Sequence, residues 1–192
     1  VLNVLQRVGM TRIHAAEQAR LRQLLVGLTS IPGVRIYGDP DLDRPPRLGT
    51  VAFNLDGLEH GLVAAVLNDY CNVAVRNGCF CAHPYVRELL KPELWQLDID
   101  LDATDAAQQL QSWQGMVRAS LGLYSADEDI AALLAGLRDL QSRPDFYRAH
   151  YPMDSEGNFH HRTFTAPALS LFDPETALDR ALARLSVIPA VL

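Results

Sequence analysis

The sequence predicts a small α/β (α+β) sandwich: a short, mostly antiparallel sheet of about four strands with helices on one face. Three observations predict it. Residues 34–37, 48–55, 72–76 and 116–120 are short runs rich in Val, Ile, Phe or Met, with the character of half-buried strands. Segments with helical apolar spacing lie between them, so strand and helix alternate along the chain. The composition, 48% hydrophobic and 21% charged over 192 residues, suits one globular domain with an extension.

Each element has its own signal. Val1 to Val8 reads as a helical turn or two, interrupted at Gly9. Thr11 is placed to cap the next helix, whose Leu21, Leu24, Leu25 and Leu28 recur at i, i+3, i+4 and i+7. Ser30 to Gly33 stops it, Val34 to Tyr37 is a strand, and the proline-rich stretch from Gly38 to Arg47 is a loop. In the strand from Leu48 to Leu55, Val51 and Phe53 alternate with smaller or polar residues. Leu58 to Tyr70 is a helix with Leu62, Val63, Val66 and Leu67 on one face, followed by a third strand at Asn72 to Arg76 and a short helix at Pro84 to Leu90.

Asp98, Asp100 and Asp102 alternate with Ile99 and Leu101. The glycine and distal glutamate of a calcium loop are missing, so they read as a solvated face. Thr104 can cap a helix through Leu110 and Trp113, and Met116 to Ser120 is the fourth strand. Ser125 and Glu128 read as a capping box for a helix carrying Ile130, Leu133, Leu134, Leu137 and Leu140. Beyond Gln141, the aromatics and histidines Tyr147, Tyr151, Phe159, His160, His161 and Phe164 suggest a tail wrapped over this domain or over another part of a longer protein. Asp173-Pro174-Glu175 starts a last helix, continued by Leu178, Leu182 and Leu185.

The chemistry concentrates in Arg76-Asn77-Gly78-Cys79-Phe80-Cys81-Ala82-His83-Pro84. Gly78 permits a bend, and Pro84 suits a first helical turn while disfavouring helical backbone at His83. A thiol between a strand end and a helix N-terminus is placed to be exposed and reactive. It can equally be a small buried hydrophobe. A metal on Cys79, Cys81 and His83 would lack the second ligand pair of a structural zinc site, and the adjacent His160 and His161 rarely face one site. If the segment is extended, the Cys79 and Cys81 side chains project to the same side. A net charge of −6 argues against nucleic acid and anionic membranes as partners. No apolar run reaches the ~20 residues of a membrane span, and no signal peptide is visible. Three cysteines, two of them clustered, suit a reducing, cytoplasmic setting.

Several motifs in fixed order resemble one family. Ile31-Pro32-Gly33-Val34 precedes a strand, and Arg47-Leu48-Gly49 leads into Val51-Ala52-Phe53-Asn54-Leu55. The cysteine stretch follows, then Val117-Arg118-Ala119-Ser120-Leu121-Gly122-Leu123-Tyr124 and the acidic helix start Asp127-Glu128-Asp129. This order resembles the cysteine desulfurases and selenocysteine lyases, pyridoxal-phosphate (PLP) enzymes of the class V aminotransferase fold.

The resemblance implies a C-terminal small domain over residues 1–141, with an insertion at about 92–114 and an extension at 142–192. It also implies that the N-terminal PLP-binding large domain is absent from this chain. Lys91 is the only lysine and follows the cysteine stretch, where the resemblance gives it no cofactor role. No cofactor-binding residue and no bound PLP are therefore expected here. In the full-length enzyme, the resemblance implies removal of sulfur from L-cysteine as a persulfide. Cys81 matches the nucleophile, Arg118 the carboxylate-binding residue, and Arg76 a group near substrate or phosphate. Cys79 is a second sulfur acceptor or a packing residue, His83 a further candidate, and Tyr124, Asn54 and His60 are supporting or structural groups. A homodimer, the chain's own large domain and a sulfur-acceptor protein are the implied partners. Cys79-Phe80 departs from the usual polar lead-in to the nucleophile. Another class V lyase or aminotransferase, or a non-catalytic interaction domain, stays open beside the desulfurase reading.

Overall fold

The computed structural model describes residues 2–41, 48–97, 104 and 106–164. It divides into two compact units, Val1–Arg162 and Thr163–Leu192, and nearly all of the second lies outside the described residues. Asp98, Asp100, Asp102 and the helix expected from Asp173 also lie outside them.

The first unit holds a four-stranded, wholly antiparallel sheet in the order β1-β2-β4-β3. Its strands are β1 (Val34–Tyr37), β2 (Thr50–Leu55), β3 (Arg76–Gly78) and β4 (Met116–Ser120). The helices are α1 (Leu2–Val8), α2 (Met10–Thr29), α3 (His60–Cys71), α4 (His83–Leu94), α5 (Ala106–Trp113), α6 (Asp127–Ser142) and α7 (Pro144–His150). The sheet and the helices read from the described residues are present, with α4 on the sheet face opposite α2, α3 and α6 rather than all helices on one face.

Alternation along the strands divides the sheet into two faces. Val51, Phe53 and Leu55 of β2 and Val117 and Ala119 of β4 are buried with the leucine rows of α2, α3 and α6. Ala52 and Met116 point the other way, into a smaller cluster with Val86 and Leu90 of α4.

Local details shift several expected boundaries. Gly9, at φ +89°, breaks the backbone between α1 and α2, so Met10 opens α2 and Thr11 lies inside it rather than capping it. Asn72 ends α3 in the left-handed region, with the Val73 N–H on the Leu67 carbonyl. The third strand therefore begins at Arg76, not Asn72, and runs into Gly78, because β4 offers partners only opposite Arg76, Asn77 and Gly78. His83 is the first residue of α4, so Pro84 does not exclude it from the helix. Proline is tolerated there because first-turn N–H groups have no intrahelical acceptor. The cap of α6 sits one residue later than expected. Asp129 accepts from the Ala126 N–H at 2.8 Å, while Ser125 Oγ accepts from the Gly122 N–H at 2.9 Å.

Of the two readings for the aromatic segment, its first part takes the first. Tyr147 and Tyr151 are buried in the main core. Tyr151 donates to Asp69 of α3 at 2.9 Å, and Tyr147 donates to Asp139 of α6, which also pairs with Arg143.

Helices α3 and α6 meet at Gly136, where an added Cβ would lie 2.6 Å from Cys71 Sγ and 2.8 Å from Leu67 Cδ2. Glycine to alanine in a helix ordinarily gains up to ~1 kcal/mol, whereas overpacking a core costs ~1–3 kcal/mol. Gly136→Ala is therefore expected to lower stability by about 1–2 kcal/mol in urea denaturation. An unchanged or raised midpoint would mean the helices separate freely.

Candidate active site

Strand β3 hands the chain to a tight turn. The Ala82 N–H donates to the Cys79 carbonyl at 2.7 Å, and the two central residues, Phe80 and Cys81, have φ +52° and +62°. Positive φ at both central positions is the signature of a type I′ turn, normally built from Asn and Gly. For residues bearing a Cβ, left-handed backbone costs ~1–2 kcal/mol each. The turn is strained, and the packing around it holds it.

This geometry overturns the extended segment and its parallel thiols. Cys81 is exposed, two residues before the start of α4. Cys79 is half-buried beside Met116 and Val86, and its thiol donates to the Gln114 carbonyl at 3.0 Å. Burial pushes the Cys79 thiol pKa up, and the nearby Arg87 charge only partly opposes it.

Arg118 rises from β4 on the face opposite the main core, directly across from Arg76 in the β3 register. Two like charges at such a pair repel, and together they concentrate positive charge on this part of the sheet. Arg76 is exposed. The Arg118 guanidinium is half-buried, with Cζ 5.1 Å from the centroid of the Phe80 ring. Its Nε is shut off from solvent and has no hydrogen-bond partner among the described residues. Phe80, the residue immediately before Cys81, thus links Arg118 to the cysteine turn.

The other candidates fall into different places. Asn54 is a clamp: it donates to the Gly115 carbonyl at 3.0 Å and to the Tyr37 hydroxyl at 3.2 Å, and accepts from the Val117 N–H at 3.3 Å. Tyr37 in turn donates to Glu93 of α4. His60 opens α3 and lies 3.3 Å from the Asn77 side chain. A Cβ on Gly115 would come within 2.4 Å of His60 Nε2 and 2.8 Å of Gly78 Cα. The two glycines therefore allow the histidine and the cysteine stretch to close on β4.

His83 is exposed and shares a hollow of about 520 Å³ with His60, Cys79, Arg87 and Asn158. Tyr124 is 92% exposed beside a different hollow, bordered by Asn72, Val73 and Ile130. The structure therefore brings Arg118, Arg76 and the cysteine turn together and leaves Tyr124 apart. The sequence reading missed Phe80 as Arg118's support. It also missed Gly115, whose adjacency to a strand start was the available signal.

His160 pairs with Asp154 at 3.0 Å, while His161 lies 3.4 Å from the Tyr70 hydroxyl, so the adjacent histidines serve separate contacts. Among the described residues, no three His, Cys, Asp or Glu side chains gather as metal ligands, and no helix is long and apolar enough to cross a membrane. Lys91 is exposed on α4 in an ion pair with Glu88.

Two measurements follow from this site. At Cys81 the positive φ penalises any Cβ, so Cys81→Gly should be more stable than Cys81→Ala by about 1 kcal/mol in chemical denaturation. Equal stability would remove the strain from the turn. Burial lowers the His60 pKa to about 4 from its usual ~6.5. Between these values the unfolded chain binds a proton that the folded chain excludes, so stability should fall as pH falls from about 6.5 to about 4. His60→Gln should flatten that slope in unfolding free energies measured across the window. A slope unchanged by the substitution would assign it to other groups.

The aminotransferase class-V family profile matches residues 1–133. A cysteine desulfurase of Klebsiella pneumoniae subsp. pneumoniae is 29% identical over 140 residues, 73% of this chain and 28% of that protein. One of Salmonella newport is 31% identical over 133 residues, 68% and 25% of the two chains. The chain thus spans about a quarter of the length of these relatives. Among solved structures, the fold matches a cysteine desulfurase of Escherichia coli at 18% identity and TM-score 0.53, covering 73% of this chain and 28% of the other. The apo cysteine desulfurase of Thermococcus onnurineus matches at 26% identity and TM-score 0.53, with the same coverage.

Proposed function

The chain belongs to the class-V aminotransferase family, and from that premise we propose that it is the C-terminal part of a cysteine desulfurase-like enzyme, in which Cys81 receives sulfur from L-cysteine and Arg118 holds the substrate carboxylate. In this reading residues 1–141 are the family's small domain, with an insertion near 92–114, and residues 142–192 are an extension. The observation that carries it is the strained turn, which presents an exposed Cys81 one residue beyond the Phe80 ring that supports Arg118. The similarity to curated cysteine desulfurases supports the same choice of substrate.

The family implies pyridoxal phosphate in the full-length enzymes, where it supplies the electron withdrawal that loosens bonds at the amino-acid carbon. The residues of this chain do not fit its attachment, because Lys91 is exposed and ion-paired with Glu88. What the chain contributes is substrate grip and a sulfur acceptor. The Arg118 fork takes both oxygens of the carboxylate, with Arg76 adding positive potential from the neighbouring strand. The Cys81 thiolate attacks the substrate sulfur and an S–S bond forms. The substrate C–S bond breaks with its electron pair staying on the carbon fragment, which takes a proton and leaves as alanine. Cys81 is left as a persulfide, which its exposure opens to an acceptor protein. Cys79 packs and positions the turn, with its thiol engaged at the Gln114 carbonyl.

In the full-length enzyme, Cys81→Ala should abolish persulfide formation while substrate binding, followed by cofactor absorbance, persists. Arg118→Lys keeps the charge but loses the fork. One charge-assisted hydrogen bond lost, worth ~1.5–3 kcal/mol, corresponds to roughly a 10- to 150-fold drop in kcat/KM. A second reading, a class V lyase or aminotransferase on another amino acid, is favoured only by the exposure of Cys81, which no hydrogen-bond partner among the described residues holds. Normal turnover in Cys81→Ala together with impaired Arg118→Lys would select that second reading.

A further inference from the structure

Arginine is a flexible side chain, and a carboxylate anchor serves best when its planar fork is held before the substrate arrives. On Arg118, three observations bear on how that is done. The guanidinium carbon stands 5.1 Å over the Phe80 ring. Nε is buried without a hydrogen-bond partner among the described residues, so no acceptor there fixes the plane. Arg76 lies directly across the strand pair and pushes the charged head away rather than holding it.

The ring itself is unusually fixed. Phe80 occupies the left-handed region at φ +52°, where a bulky residue is an outlier that persists only when its surroundings hold it. It is packed against the cluster of Val86, Leu90 and Met116, on the sheet face that carries Arg118. On its C-terminal side it is tied into the turn by the Ala82 to Cys79 hydrogen bond, and on its N-terminal side by the Cys79 thiol on Gln114. Asparagine or glycine would make this turn with less strain. An aromatic residue at this place therefore needs a reason beyond the turn.

We propose that Phe80 is a positioning residue for Arg118: its ring face is the platform on which the guanidinium plane rests, presenting the fork to a carboxylate. The electron-rich face supplies the attraction that the missing acceptor does not, and it keeps the cation parked against the repulsion of Arg76. This rests on the reading of Arg118 as the carboxylate anchor and adds the residue that orients it.

The test has one spectroscopic and one kinetic arm. In the chain itself, the Arg118 Nε–H proton should resonate upfield of ordinary arginine side chains, shifted by the Phe80 ring current, and should exchange slowly with water. Phe80→Leu fills the space without a π face and should return the signal to the ordinary position while the backbone amide spectrum of the sheet stays in place. Phe80→Tyr should keep the shift. If Phe80→Leu fails to fold, Phe80→Trp replaces it, with an enlarged upfield shift expected. In the full-length holoenzyme, Phe80→Leu should raise KM for the amino acid by about 3- to 30-fold, the size of one cation–π contact, with kcat within about twofold. Phe80→Tyr should restore KM. An Arg118 signal at the ordinary position in the wild-type chain, or unmoved by Phe80→Leu or Phe80→Trp, overturns the proposal. So does an unchanged KM in Phe80→Leu when Arg118→Lys is impaired. An unimpaired Arg118→Lys would instead remove the anchor reading, while the spectroscopic arm still decides whether Phe80 orients the guanidinium.

Discussion

Strand β4 is paired on both edges, to β2 and to β3, and that double pairing decides where the chemistry can be. Side chains on a strand alternate between faces, so burying Val117 and Ala119 in the main core forces Met116 and Arg118 to the other side. A slip of one residue would put the guanidinium into a wall of leucines and bring valine to the site. The hydrophobic pattern that folds the domain therefore also aims the arginine. The same ladder brings Arg76 opposite Arg118 and leads the chain from Gly78 straight into the cysteine turn.

Holding that turn takes support from residues far away in sequence. Asn54 ties β2 to both Gly115 and Val117, and Cys79 ties the turn to Gln114, so the entry to β4 is gripped from two sides. Between them, Gly78 and Gly115 approach so closely that a single methyl on Gly115 would strike both His60 and Gly78. Left-handed backbone at Phe80 and Cys81 costs on the order of 1–2 kcal/mol per residue, and these contacts are what can offset it. Strain at a presented residue, compensated by packing around it, is a pattern associated with functional sites. It also explains why the loop is no generic surface connection: its conformation is determined from outside itself.

The elements were largely legible in the sequence because their signals are local. Apolar rows at helical spacing marked α2, α3 and α6, and alternation marked β2. The misplaced boundaries share a cause. Thr11, Asn72 and Ser125 are residues that favour both caps and turns, and which role each took depended on neighbours in space. Gly9 broke the chain ahead of Thr11, Asn72 terminated α3 instead of opening a strand, and Ser125 bonded the Gly122 N–H. In the site, Arg118, Arg76 and the two cysteines could be picked out by type and order. The turn could not, since Phe-Cys is not a sequence that announces positive φ at both positions. The support of Arg118 by Phe80 was hidden for a related reason: the contact spans 38 positions and exists only because that turn folds the ring back beneath β4.

The divergent fates of Cys79 and Cys81 follow from the same turn. An extended segment would have placed both thiols on one side, in similar surroundings. Two consecutive left-handed residues reverse the chain, so one thiol is drawn into the cluster under α4 and the other is left in solvent. For Cys79, burial disfavours the thiolate, and its proton is engaged by a backbone carbonyl. That makes it a poor nucleophile but a good peg. Cys81 stays in solvent, where its thiol is accessible. The surroundings of the two thiols are thus separated by backbone geometry rather than by residue identity, and the peg supports the turn that exposes its neighbour.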